Sequence, residues 1–137
     1  MDRVELERAS ALFAAARDVR ALVVGDVMLD VYLRGVVSRV SPEAPVPVVL
    51  VEAEERTLGG AANVAANVVT LGASCHLVGC IAADESGRGL RAELVRRGIA
   101  DDGLVETADR PTTVKTRVLT RQHQVARYDR ERTGDVA

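Results

Sequence analysis

The sequence is poor in aromatic residues and almost without lysine. Aromatics make up 2% of it and tryptophan is absent, which removes the stacking platforms of single-strand nucleic-acid binders. Lys115 is the only lysine among 18 cationic residues, and these are scattered through a chain of net charge −2. No electrostatic footprint for nucleic acid is left. No apolar run is long enough to cross a bilayer, and the N-terminal MDRVELERAS is charged and has no signal-peptide core. No membrane partner and a cytoplasmic location are therefore expected. Cys75 and Cys80 have a spacing that suits neither a zinc knuckle nor a redox pair, and they read as buried free thiols. His76 and His123 lack an HExxH neighbourhood, so no metal site is expected. GxGxxG and GxxxxGK[ST] loops are missing, as is any Ser/His/Asp or Cys/His arrangement, and the dinucleotide, P-loop and hydrolase readings lose their support.

What is present is enough for one soluble domain: 137 residues, 47% apolar and 28% charged. The organising stretch is TLGGAANVAANVVTLG, from Thr57 to Gly72, where a glycine pair meets the start of a helix and Asn63 falls in its first turn. Such a junction offers close backbone approach and unpaired N–H groups to an oxygen-rich ligand. The same residues also serve as a plain turn and cap, and this stretch alone leaves both readings open.

Ahead of it, Leu6, Ala9, Phe13 and Ala16 recur at helical spacing, predicting an amphipathic helix over Val4–Asp18 packed outside the main sheet. Ala21–Gly25 is a short apolar run ending in glycine and reads as a buried strand of a parallel sheet, with Asp26 and Asp30 at its C-terminal end. Val31–Val40 and Val46–Glu54 are rich in β-branched residues, joined by SPEAP, and predict a two-stranded flap standing away from the main sheet. Pro45 and Pro47 place the second of these strands at an edge. The helix after Gly60 carries Val64, Val68 and Leu71 on one face and stops at Gly72. Ser74–Ile81 is the next strand and completes a β-α-β unit. Asp84 and Ser86 then start a helix with Leu90 and Leu94 as its core stripe and Gly98 as its stop.

Ile99–Asp109 reads as a short strand and loop. Thr112–Leu119 alternates, with Val114 and Val118 on one face and Thr113, Lys115 and Arg117 on the other. The turn RQHQ leads to Val125–Asp129, so two adjacent strands present Lys115, Arg117, Arg127 and Asp129 as a charged cluster. That cluster is either a solvated, ion-paired sheet face or part of a site. Sugar hydroxyls need carboxylates and amides, which Asp30, Asn63 and Asp129 supply, and a sugar phosphate needs cations such as Lys115 or Arg117.

GDVMLD, VSRVSPEAPVPVV, LGGAANVAANVVTLGA, ADESGRGL and RPTTVKTRV together resemble the ribokinase-like (phosphofructokinase-B) family of sugar kinases, and within it the heptose 7-phosphate kinases. The likeness covers about residues 20 to 130, and Ala82 stands where the family's first signature asks for glycine. It implies an α/β fold: the N-terminal part of a mostly parallel sheet flanked by helices, with a small β lid (residues 31–54) inserted after the first strand. By resemblance, Asp30 holds sugar hydroxyls from the end of the first strand, Gly59, Gly60 and Asn63 line the same pocket, and Lys115 and Arg117 lie near it. The implied ligand is a small sugar phosphate, and the lid implies a homodimer contact. ATP and Mg²⁺ are implied for the complete family enzyme, with neither expected to bind tightly to this chain alone. The second family signature, DTxGAGD, with its catalytic Asp and anion hole, has no match here. The chain is therefore expected to be the sugar-binding portion of a kinase domain without the nucleotide-binding half, inactive alone. The alternatives are a kinase fragment for another sugar and a non-catalytic sugar-phosphate-binding or dimerisation module. An uncovered parallel strand edge and exposed apolar faces are expected to follow.

Overall fold

Runs of branched apolar residues form the strands of two sheets, joined by three helices among the described residues, in a computed structural model that describes residues 3–121 and 123–135. Gln122 in the expected RQHQ turn, Met1 and Asp2, and Val136 and Ala137 lie outside the described residues. In chain order the elements are α1 (Arg3–Ala16), β1 (Arg20–Val24), β2 (Val27–Val40), β3 (Pro47–Gly59) and α2 (Gly60–Thr70). They continue with β4 (Ser74–Ile81), α3 (Glu85–Arg96), β5 (Leu104–Glu106), β6 (Val114–Thr120) and β7 (His123–Arg130). A parallel sheet has the order β1-β4-β5, and a second, four-stranded sheet has the order β3-β2-β6-β7.

The parallel sheet turns one side to α2 and α3. Leu77 and Ile81 on β4 alternate toward that side and meet Leu90 and Leu94 of α3, all essentially buried. Asp84 caps α3, accepting from the Gly87 N–H at 2.8 Å, and the stops at Gly72 and Gly98 fall where expected, each with positive φ. Arg91 on α3 bridges to the Asp101 carboxylate at 2.8 Å and to Glu106 at 3.2 Å, tying the helix to the β5 region.

Four expectations are corrected. The first strand is parallel but not buried on both sides: Leu22 and Val24 are 66% and 67% exposed, because no element among the described residues covers their side. The stripe of α1 does not pack against the main sheet, on the covered side or the bare one: Leu6 and Phe13 stand more than half exposed. On α2 the buried residues are Ala62, Ala65 and Ala66 while Val64 and Leu71 face outward. Small side chains let the helix lie close to the strands, so bulk is a poor guide to its inner face. Cys75 and Cys80 are free but only half-buried.

The first flap strand begins earlier than expected and the second ends later. β2 starts at Val27 after the two residues Gly25 and Asp26, and β3 runs on to Gly59. The pair is not a lone hairpin. β2 also pairs in parallel with β6, and β6 is antiparallel to β7, so the flap is half of the four-stranded sheet. Pro47 opens β3, an edge strand, where a missing N–H costs no ladder bond.

Candidate functional site

The alternation of β2 decides what the site contains. Val27, Leu29 and Val31 turn inward and are buried, which leaves Asp30 and Tyr32 on the opposite face. Asp30 therefore lies inside β2, not at the end of the first strand. Register brings the rest together: Asp30 stands beside Lys115 and Tyr32 beside Arg117 on β6, while Lys115 faces Asp129 and Arg117 faces Arg127 on β7. Arg117 Nη1 donates to Asp30 Oδ1 at 2.6 Å, Lys115 Nζ donates to Glu131 Oε2 at 2.8 Å and to Asp129 Oδ2 at 3.3 Å, and Arg127 Nη2 donates to Asp129 Oδ2 at 2.8 Å. The hydrogen bond to Glu131, then that to Asp129, raises the Lys115 ammonium above its ordinary pKa. The hydrogen bond from Arg127, then that from Lys115, holds the Asp129 carboxyl below the usual carboxylate range. Asp30, Asp129 and Glu131 thus balance Lys115, Arg117 and Arg127, and the face is formally neutral.

The glycine pair adjoins this face. Gly59 is opposite Met28 in the ladder, and a Cβ on it would fall 2.6 Å from Asp30 Oδ2 and 2.7 Å from Met28 Cγ. The carboxylate occupies room that only glycine leaves. Gly60 has φ +56 and a Cβ there would run into the Asp26 carbonyl, while the next N–H, of Ala61, donates to that carbonyl at 2.8 Å. Asn63 is exposed in the first turn of α2, and no hydrogen bond joins it to the cluster. The structure therefore brings Asp30, Gly59, Lys115, Arg117, Arg127 and Asp129 together, with Gly60 adjoining, and leaves Asn63 outside that network.

A cavity of about 510 Å³ opens at the carboxyl ends of β1 and β4, with Gly25, Asp26, Cys80, Arg110, Thr113 and Glu131 among its lining residues. This is where open α/β sheets place ligands. Sequence reasoning missed Arg110 and Glu131. Glu131 was legible, because it continues the alternation of Arg127 and Asp129, and it links the cavity to the charged face through Lys115. Arg110 was not: its guanidinium bonds Asp109 and the backbone carbonyls of Gly134 and Asp135, and Arg132 bonds the Asp109 carbonyl. Those contacts fold residues 131–135 along the cavity, and no spacing announces them.

Asp84 fixes where β6 begins. Besides capping α3 it accepts from the Thr112 N–H at 3.1 Å, and the buried Thr112 hydroxyl accepts from the Ala82 N–H at 2.9 Å. Burial pushes the Asp84 carboxyl up, but the bonds from Gly87 and Thr112 and the charge of Arg130 outweigh it and hold the pKa low. His76 and His123 are exposed. Among the described residues no group of three or more His, Cys, Asp and Glu could hold a metal ion, and no helix is long and apolar enough to cross a membrane.

The profile of the pfkB family carbohydrate kinases matches residues 19–136. The bifunctional protein HldE of Citrifermentans bemidjiense is 46% identical over 137 residues, covering 100% of this chain and 28% of that protein. The D-beta-D-heptose 7-phosphate kinase of Bordetella bronchiseptica is 54% identical over 118 residues, 86% of this chain and 37% of that protein. Among solved structures, a carbohydrate kinase from Agrobacterium tumefaciens superposes with a TM-score of 0.66 at 21% identity, over 80% of this chain and 34% of that one. A fructokinase with bound ATP from Xylella fastidiosa gives 0.58 at 25% identity, over 82% and 32%. The fold is thus the ribokinase-like α/β architecture, and the chain spans well under half the length of each of these relatives.

Proposed function

Because the chain belongs to the pfkB family of carbohydrate kinases, we propose that it builds the sugar-holding part of a kinase for D-glycero-β-D-manno-heptose 7-phosphate. The reaction of the whole enzyme transfers the γ-phosphoryl of ATP to the anomeric hydroxyl, a step toward ADP-heptose. The observation that carries the reading is the meeting of Asp30, Lys115 and Arg117 on one strand face beside Gly59. Asp30 Oδ2 accepts a sugar hydroxyl. Lys115 meets the phosphate by exchanging a carboxylate for a phosphate oxygen, a charge-assisted bond of the same kind. The sheet β3-β2-β6-β7 lies over the sugar, and its hairpin is the surface on which a second copy would meet.

ATP with Mg²⁺ supplies the phosphoryl group and neutralises its developing charge. The residues here do not fit that role, having neither a phosphate-cradling glycine motif of known type nor, among those described, a metal-holding group. Phosphoryl transfer rests on an in-line nucleophile and a stabilised transferred group. Without DTxGAGD this chain alone binds the sugar and does not turn over ATP.

Calorimetry on the chain with heptose 7-phosphate, free heptose and fructose 6-phosphate, beside an ADP-release assay, tests both statements. Preferred binding of heptose 7-phosphate without ADP release is the expected result; equal or absent binding of all three would overturn the substrate, and ADP release would overturn the inactivity. Lys115→Ala is expected to weaken heptose 7-phosphate by about tenfold while sparing free heptose, as loss of one charge-assisted bond implies. The neutrality of the charged face favours one second reading, a sugar without phosphate. Free heptose binding as tightly as its phosphate would select it.

A further inference from the structure

Resting on the reading that Asp30 takes a sugar hydroxyl, we propose that Tyr32 is a positioning residue whose ring holds Arg117 on Asp30 and so sets which carboxylate oxygen meets the sugar. Tyr32 lies two residues beyond Asp30 on β2 and shares its face. Its ladder neighbours are Glu55 on β3 and Arg117 on β6. The guanidinium carbon of Arg117 is 5.3 Å from the ring centroid and that of Arg34 is 6.0 Å away, both within the reach of a cation over an aromatic face. Each guanidinium also has an acid: Arg117 bonds Asp30, and Arg34 Nε lies 3.2 Å from Glu55 Oε2. The ring is the centre of a row across three strands.

Arg117 needs that support because its partner across the ladder on β7 is Arg127. Like charges directly opposite repel, and a long arginine stem has rotamer freedom to move away. The attraction that keeps it in place comes from the β2 side, from the ring and Asp30. The consequence falls on the carboxylate. Oδ1 is taken by Arg117, and Oδ2 is left beside the bare Cα of Gly59. If the ring is lost, Asp30 alone opposes the repulsion from Arg127, Arg117 leaves Oδ1 for more of the time, and the aim toward the glycine pair is weakened.

The test compares the chain with Tyr32→Phe and Tyr32→Leu by ¹⁵N relaxation of the Arg117 Nε–H without sugar, and by calorimetry with heptose 7-phosphate. Tyr32→Leu is expected to drop Arg117 order toward that of a solvated arginine and to weaken binding about fivefold, the size of one partly desolvated cation–ring contact. Tyr32→Phe keeps the ring face and is expected to match the wild type in both. Thermal melting checks folding, and Tyr32→Val replaces Tyr32→Leu should the latter not fold. Unchanged Arg117 order without the ring, or failure of Tyr32→Phe to preserve it, overturns the proposal. Should the wild type bind no heptose 7-phosphate, the sugar reading falls, and the relaxation comparison still decides whether the ring holds Arg117.

Discussion

On the side away from α2 and α3, the parallel sheet β1-β4-β5 shows Leu22, Val24 and Val105, each more than half exposed. On the Asp30 side of the sheet β3-β2-β6-β7, charged groups are paired: Asp30 with Arg117 and Lys115 with Asp129 across strands, Arg127 with Asp129 within β7, and Lys115 with Glu131 just past its end. Parallel sheets are ordinarily covered on both sides, and on this bare apolar side Val24 and Val105 line the cavity at the carboxyl ends of β1 and β4. The charged side has its demands met without any cover and can exchange partners with a polar ligand. Exposure alone does not separate the two, and side-chain chemistry does.

Substitutions sharpen this contrast in order of effect. Leu77→Ala, on the covered side of the parallel sheet, is expected to cost about 3 kcal/mol in urea unfolding, the cost of a cavity in a closed core. Gly59→Ala sets a methyl against the Asp30 carboxylate and the Met28 side chain. A loss of about 2 kcal/mol, typical of overpacking, is expected, together with loss of sugar binding; a neutral result would separate the glycine pair from the charged face.

Asp84→Ala removes a helix cap and is expected to cost about 1 kcal/mol. Because the Asp84 carboxyl is held low when folded, its contribution is present above the unfolded carboxyl pKa of about 4 and disappears as pH falls through the folded value. Asp84→Asn, compared by melting from pH 6 downward, is therefore expected to lose less stability in acid than the wild type. Smallest is the pair Leu22→Ser and Val24→Thr on the bare side, expected to change stability by no more than about 0.5 kcal/mol. Urea unfolding should show that small change, and a loss on the scale of Leu77→Ala would break the contrast.

Much of the framework was legible in the residues. The stops at Gly72 and Gly98, the alternation of Val114 and Val118 against Lys115 and Arg117, and the start of α3 at Asp84 all follow from local chemistry, and each stands where expected. The position of Asp30 was legible in principle, since Val27, Leu29 and Val31 alternate around it, but the turn before them has only two residues and does not mark a boundary. The inner face of α2 was hidden because alanine is chosen there for closeness. The packing of α1 and the bare side of β1 depend on what other elements cover, which no local pattern encodes. Arg110 was silent because it works through backbone carbonyls.

The direct passage from β3 into α2 has a mechanical result. Gly59 ends the strand and Gly60 begins the helix with no linker between them, and Val27 bridges Gly60 across the turn. There is no slack to absorb a tilt of the hairpin. A rotation of the hairpin against the helix is taken up at Gly60, whose dihedral already lies in the left-handed region, or else swings α2 as a lever about that single joint.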